Sequence, residues 1–158
     1  PVNLDELVRQ ALEAFANRLE ERGVRARSRI AANVVVIADA QRLRQLLHNL
    51  LENSARYVEP GGRLEVSLTP GKAAVLRLED SGPGVSEEEL ARLFDRFYRI
   101  EGSRSRTTGG SGLGLYIVRK TMERYAGMIT VADNHPKGAV FTLTMPTGAP
   151  SPAGRPRL

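Results

Sequence analysis

Three polar side chains recur at helical spacing in the middle of the sequence, where Asn49, Asn53 and Arg56 stand at positions i, i+4 and i+7. On a helix this spacing places them in one stripe along the edge of an apolar arc. Two amides one turn apart offer neutral oxygens to a cation and N–H donors to a phosphate. Mg²⁺ prefers oxygen ligands and keeps contact with substrate phosphates. The stripe therefore indicates a phosphate and magnesium site, and the alternative is a solvated polar edge.

A carboxylate at the end of a predicted strand offers a second site. Asp80 is in phase with Leu76 and Leu78, so its side chain is expected on the buried face of the sheet. A buried charge is costly unless a group donates hydrogen bonds to it, and the exocyclic amine of adenine is such a donor. Gly82 and Gly84 allow the backbone to approach a base closely. The alternative is an Asx turn, in which Asp80 binds its own backbone.

Three glycines at alternate positions, Gly110, Gly112 and Gly114, precede a predicted helix. Backbone N–H groups at a helix N-terminus favour phosphate binding. The spacing differs from the Gly-x-Gly-x-x-Gly pattern of dinucleotide-binding folds, and no predicted strand leads directly into it. The sequence carries neither a Walker A motif nor the motifs of eukaryotic-type protein kinases. The glycines therefore indicate a phosphate site of another class.

The elements that must position these residues alternate in an order typical of a two-layer α/β sandwich with a mixed sheet. Apolar spacing predicts helices over residues 4–21, 40–58 and 114–125 and a short helix from Ser86 to about Leu93. Asn3 and Glu6 form a capping-box pattern for the first helix, and Asp39 is the expected cap of the second. Strands are expected near residues 24–30, 34–37, 63–68, 74–78, 128–132 and 139–145.

The composition fits one domain that is large enough to bury a core. The 158 residues carry a net charge of +5, with 23 basic residues and no Cys. The absence of Cys excludes disulfides and thiolate chemistry. No apolar run approaches the roughly 20 residues of a membrane span, so the chain is expected to be soluble and cytoplasmic. Its arginines are scattered without interleaved aromatic residues, which disfavours nucleic acid as a partner.

In their order and separations the three motifs resemble the N, G1 and G2 boxes of the histidine-kinase ATP-binding domain. These boxes correspond here to Asn49–Tyr57, Asp80–Gly84 and Gly110–Leu115, and Leu93–Arg99 is similar to the F box. The fold is shared with Hsp90-type chaperones, type II topoisomerases and MutL. The resemblance implies the Bergerat (GHKL) α/β sandwich over residues 1–146, with a mobile ATP lid at about 100–111. The remaining residues, 147–158, are rich in Pro, Gly and Arg and are expected to be disordered.

The resemblance also assigns roles to individual residues. Asn49 and Asn53 would hold Mg²⁺, and Asp80 would recognise adenine. Either of two F-box arginines, Arg96 or Arg99, would reach the γ-phosphate, while Phe94 and Phe97 anchor the base of the lid by packing. The residues expected to contact ATP or its phosphates are Asn53, Arg56, Tyr57, Asp80, Gly82, Gly84, Gly110, Gly112, Leu113 and Gly114.

One position separates a kinase from its ATPase relatives. Chaperone and topoisomerase members carry a Glu at the position of Asn49, and that Glu activates the attacking water. An amide cannot act as this general base, so the site is expected to hold ATP without rapid hydrolysis. Neither His48 nor His135 lies in a phospho-acceptor sequence, and both are interpreted as structural or surface residues. The acceptor histidine is therefore expected on a separate helical dimerisation domain.

The implied function is that of the catalytic domain of a two-component sensor histidine kinase, which uses Mg-ATP and signals to the Asp of a response regulator. The parent protein would be a homodimer anchored in the inner membrane, with this domain cytoplasmic and monomeric by itself. Three alternatives remain open. They are a dedicated ATPase of the same fold, a serine kinase of the anti-sigma-factor type, and a nucleotide-binding module without catalysis.

Overall fold

The computed structural model of the chain describes residues 1–82, 92, 94, 95, 114–134 and 137–147. The described elements are β1 (Val2–Asn3), α1 (Leu4–Glu21), β2 (Arg25–Ile30), β3 (Val35–Val36), α2 (Ala40–Tyr57), β4 (Arg63–Thr69), β5 (Ala73–Asp80), α3 (Gly114–Arg124), β6 (Met128–Asp133) and β7 (Ala139–Pro146). None of these described helices has both the length and the apolar character needed to cross a membrane. Apart from Arg92, the short helix that the sequence predicts lies outside the described residues, as do the predicted lid and the predicted tail beyond Thr147.

Five strands form one mixed sheet in the order β2-β4-β5-β7-β6. β2 and β4 are parallel, and the other neighbouring pairs are antiparallel. β1 and β3 form a separate two-stranded sheet. The strands predicted near residues 24–30 and 34–37 therefore both exist, but they belong to different sheets.

One face of the large sheet forms the core together with the helices. Residues of β4 and β5 alternate as the sequence predicts, so that every second side chain is buried. The apolar arc of α2 packs onto this face, and α1 and α3 lie on either side of α2. The buried residues of these elements include Leu64, Val66, Leu68, Ala74, Leu76, Leu78, Leu43, Leu46, Leu47, Leu50 and Leu51. The predicted two-layer sandwich with a mixed sheet is confirmed.

The starts of the first two long helices differ in how well the sequence predicts them. The Asp39 side chain caps α2 as expected, because its Oδ1 accepts hydrogen bonds from two backbone N–H groups of the first turn, at 2.8 and 3.2 Å. Asn3 lies at the N-cap position of α1, but its side chain makes no capping bond and instead donates to Glu6 at 3.2 Å. The N–H of Leu4 is satisfied by the carbonyl oxygen of Val34 at 2.8 Å. The capping-box prediction is therefore wrong in its hydrogen bonds: the side chains of Asn3 and Glu6 bind each other, and Asn3 pairs with Val35 in the small sheet.

Candidate nucleotide site

The polar stripe predicted on α2 forms one edge of the candidate site. Asn49, Asn53, Arg56 and Tyr57 are all half-buried, at the border of the apolar arc. The Nδ2 atom of Asn49 is buried and has no hydrogen-bond partner among the described residues. A buried donor without a partner costs about 1–3 kcal/mol. Since rotation of the amide by 180° would exchange Nδ2 for Oδ1, this position suits either a phosphate oxygen or a cation.

The motifs that are separated along the chain meet at α2. A Cβ atom placed on Gly82 would lie 3.2 Å from the carbonyl oxygen of Tyr57, so the turn after β5 packs against the end of α2. A Cβ atom placed on Gly114 would lie 3.9 Å from the Cβ of Asn49, so α3 begins beside the same helix. The structure thus brings parts of the predicted N, G1 and G2 boxes together.

Asp80 ends β5 with its carboxylate in the interior, as its strand position predicts, and the residue is 8% exposed. Its Oδ1 atom accepts hydrogen bonds from the N–H groups of Gly82 at 2.9 Å and Ala139 at 3.1 Å. No donor among the described residues binds the other oxygen, Oδ2. Burial raises the pKa of the Asp80 carboxyl above its ordinary value, and the two N–H bonds oppose that shift.

The hydrogen bond from Gly82 is the Asx turn that was the alternative interpretation of Asp80. It occupies only Oδ1, so the turn and a ligand on Oδ2 are compatible. Ala139 was not predicted at the site. Its contribution is a backbone N–H from a strand far along the chain, which no side-chain pattern indicates.

A cluster of charges joins α1 to the stripe on α2. The guanidinium of Arg18 donates two bonds to the Glu52 carboxylate at 2.7 and 3.0 Å, and Arg56 donates a third at 3.1 Å. The hydrogen bond from Arg18 holds the pKa of Glu52 below its ordinary value, although partial burial opposes this. The Nε atom of Arg56 is buried and, in the described part of the chain, has no partner. Arg56 is thus fixed at one nitrogen and retains donor capacity at another.

Several predicted site residues lie outside the described residues, so their positions stay predictions: Gly84, Arg96, Arg99, Gly110, Gly112 and Leu113. Of the two predicted lid anchors, Phe94 is described and packs edge-on against Phe141, with ring centroids 6.4 Å apart. Phe97 and His135 are outside the described ranges. The side chain of His48 is 59% exposed and packs beside Phe15, which agrees with a surface role.

Comparison with known families and proteins identifies the family of this chain. The profile of the family described as "Histidine kinase-, DNA gyrase B-, and HSP90-like ATPase" matches residues 38–149. The chain is 43% identical over 147 residues to the signal transduction histidine-protein kinase BaeS of Escherichia coli K12, covering 92% of this chain and 32% of BaeS. It is 35% identical over 109 residues to the sensor protein SrrB of Staphylococcus aureus, covering 68% of this chain and 19% of SrrB. The chain therefore spans about a third or less of these relatives.

Solved structures of sensor histidine kinases have the same fold as this chain. The mycobacterial sensor histidine kinase MprB superposes with a TM-score of 0.80 at 29% identity, covering 93% of this chain and 96% of that one. The nucleotide-free catalytic domain of histidine kinase ThkA gives 0.80 at 26% identity, with 91% and 94% covered. Full-length ShkA in complex with AMPPNP gives 0.78 at 28% identity, with 93% and 30% covered. The chain belongs to the family of histidine kinase-, DNA gyrase B- and HSP90-like ATPases, and its sequence and fold are those of the ATP-binding catalytic domain of sensor histidine kinases.

Proposed function

We propose that this chain binds Mg-ATP between α2, the end of β5 and the start of α3, and supplies the γ-phosphoryl group to a histidine on a separate helical domain. The observation that carries the proposal is the Asp80 carboxylate, which is buried and has both of its N–H donors on Oδ1. An adenine amine donating to Oδ2 would satisfy this buried charge. The complex of ShkA with the adenine nucleotide AMPPNP supports a nucleotide in the same fold.

The phosphates would lie along the stripe on α2. The unpartnered Nδ2 of Asn49 and Nε of Arg56 are buried polar atoms that a triphosphate or its cation would satisfy. Among the described residues no three His, Asp or Glu side chains cluster as a metal cage. A cation here would therefore be held by the amides of Asn49 and Asn53 together with the phosphates, as Mg²⁺ usually is in nucleotide sites. When bound, Mg²⁺ would neutralise charge on the transferring phosphoryl group.

The amide at Asn49 favours transfer over hydrolysis. It orients a ligand but cannot take a proton from water, so the chain's own residues position ATP without activating an attacking water. In the transfer, the bond from the γ-phosphorus to the oxygen bridging the β-phosphate breaks and a bond from phosphorus to an imidazole nitrogen forms. ADP leaves, and the imidazole proton passes to a base on the acceptor domain. Catalysis by this chain is then mainly positioning.

In the parent protein we place this domain in the cytoplasm, beside the dimerisation helices of a membrane-anchored homodimeric sensor. The phosphoryl group would move from the acceptor histidine to an Asp of a response regulator. The proposal also includes Mg²⁺, a lid at about residues 100–111, and a contact from Arg96 or Arg99 of the F box to the γ-phosphate.

The first test is calorimetric titration of the 158-residue chain with ATP, with and without Mg²⁺. The expected result is saturable binding that Mg²⁺ strengthens, with negligible steady-state release of phosphate. Adding a histidine-bearing helical domain from a sensor kinase should then give acid-labile ³²P on that domain. Rapid phosphate release by the chain alone would favour a dedicated ATPase. A folded chain that binds no ATP would contradict the proposal and favour a non-catalytic module.

A further inference from the structure

The turn between β6 and β7 closes directly over Asp80. The side chain of Asn134 donates from Nδ2 to the carbonyl oxygen of Asp80 at 2.9 Å. The turn itself is closed by a bond from the N–H of Asn134 to the carbonyl oxygen of Gly138 at 2.9 Å. The next N–H, that of Ala139, donates to Oδ1 of Asp80. One turn therefore binds both the main chain and the side chain of a single residue of another strand.

These contacts replace the regular ladder between β5 and β7 at its end. The last paired residues of the two strands are Glu79 and Val140, so Asp80 lies just beyond the ladder. At this level the side-chain amide of Asn134 binds the Asp80 carbonyl, and the Asp80 carboxylate binds a backbone N–H of β7. A part-buried carbonyl that lost this donor would tilt toward water or another donor, and the following peptide would tilt with it against the bond from the N–H of Ser81 to Arg63.

The approach of the two backbones leaves no room for a side chain at Gly138. Its φ is +113°, and a Cβ atom there would overlap the carbonyl oxygen of Asp80 and lie 2.9 Å from the Cα of Ser81. Only glycine accommodates both the dihedral and the contact. The turn is thus shaped to reach the end of β5, which gives Asn134 a fixed position relative to Asp80.

We propose that Asn134 is a positioning residue for adenine selection: its bond to the Asp80 carbonyl holds the carboxylate with Oδ1 on its two N–H donors and Oδ2 toward the base. This inference rests on the proposed function. Without the Asn134 bond, the peptide after Asp80 is held on its N–H side alone, by the bond from Ser81 to the carbonyl oxygen of Arg63 at 3.1 Å. Its carbonyl side can then tilt and shift the N–H of Gly82 relative to Oδ1. The carboxylate, then held mainly by the N–H of Ala139, is less firmly oriented, and the amine of adenine meets a less preorganised acceptor.

A purely structural role for Asn134, in which its hydrogen bond only stabilises the fold, predicts a different result. If Asn134 only stabilised the turn, its loss would weaken every nucleotide equally or would act through unfolding. A role in orienting Asp80 is specific to the base, because guanine presents a carbonyl oxygen where adenine presents an amine. The ratio of ATP affinity to GTP affinity therefore distinguishes the two roles.

The experiment compares wild type, Asn134→Ala and Asn134→Asp, with Asn17→Ala as the matched control because Asn17 is exposed on α1. Asn134→Asp keeps the size and turn preference of the residue but offers no N–H, so it serves if the Ala variant does not fold. Titrations with Mg-ATP and Mg-GTP at pH 7 follow a check of folding by thermal unfolding. From the loss of one hydrogen bond, ATP affinity is expected to fall about threefold to tenfold in folded Asn134→Ala, with GTP affinity unchanged.

A second readout follows the donors of Asp80. In wild type the N–H groups of Gly82 and Ala139 donate to Oδ1, so both amide resonances should shift in Asn134→Ala and stay unchanged in the Asn17→Ala control. Equal loss of ATP and GTP affinity in Asn134→Ala would overturn the inference, and so would an ATP affinity equal to that of wild type. In either case, ATP binding by the wild type would still support the proposed function. Failure of wild type to bind ATP would overturn both.

Discussion

Replacement of Asp80 by Asn is expected to separate ATP binding from folding stability. In the variant the amide oxygen can still accept the N–H groups of Gly82 and Ala139, which bind Oδ1 at 2.9 and 3.1 Å in wild type. The amide nitrogen then takes the place of Oδ2 and meets the adenine amine donor to donor. Since a hydrogen bond to a charged group contributes about 1.5–3 kcal/mol, ATP affinity should fall about 10- to 150-fold.

The same substitution should leave stability at neutral pH unchanged or raise it. Burial raises the pKa of Asp80 in the folded chain, so the folded state binds the proton more tightly than the unfolded state does. The ionised carboxylate therefore lowers the free energy of unfolding above its folded pKa. This penalty disappears as pH falls through the interval between the folded pKa and the unfolded value of about 3.9. Asn carries no such charge, so the difference in free energy of unfolding between the variant and wild type should become smaller as the pH falls.

The assay pairs calorimetric titration with Mg-ATP at pH 7 and urea unfolding at pH 7 and near pH 4. Glu79→Gln is the matched control, because Glu79 is the preceding residue of β5 and faces the opposite side of the sheet. It should bind ATP as wild type does. The reasoning would be refuted by an Asp80→Asn variant that binds Mg-ATP as tightly as wild type, or that unfolds more readily at pH 7.

Gly138→Ala should lower the free energy of unfolding by about 3 kcal/mol or more, because the new Cβ overlaps backbone of β5. Gly61→Ala, which has a positive φ but open space, should lose less in the same urea experiment. Arg18→Ala should lower the free energy of unfolding by about 1 kcal/mol at pH 7 and by less near pH 2, where only the contact of Arg18 with the Phe15 ring remains to be lost. The lowered pKa of Glu52 contributes stability above its unfolded value, and that contribution is lost as pH falls through its folded value. An equal loss at both pH values would contradict this. Asn49→Ala should weaken ATP binding about tenfold with Mg²⁺ and little in EDTA, and equal weakening in both titrations would exclude a metal role.

The parts of the fold that local sequence specifies were predicted well. α2 runs from Ala40 to Tyr57, within a residue of its expected limits, because Asp39 caps it and its apolar spacing is regular. The alternation of apolar and polar residues along β4 and β5 correctly predicted that Asp80 lies on the buried face. Both depend only on residues close together along the chain.

Features that depend on distant contacts were not predictable in this way. Nothing local shows that β2 pairs with β4 while β3 pairs with β1. The ion pair of Arg18 with Glu52 joins residues 34 apart, and the bond of Ala139 to Asp80 joins residues 59 apart. The start of α1 also differs from its local pattern, since Asn3 pairs with Val35 in the small sheet and its side chain makes no capping bond. Such contacts depend on how distant segments pack together, and no single sequence motif indicates them.

The position of β7 has a consequence for the order in which this domain can assemble during synthesis. β7 is the last of the described strands along the chain, yet it lies between β5 and β6 in the sheet. Until it arrives, β5 presents an unpaired edge, and such edges are templates for association with other chains. Pairings across long sequence separations, such as Ala73 with Pro146, also form slowly. A ribosome must therefore release nearly all of the domain before the sheet can close, and a chain that ends before Ala139 would lack the strand that joins its two halves.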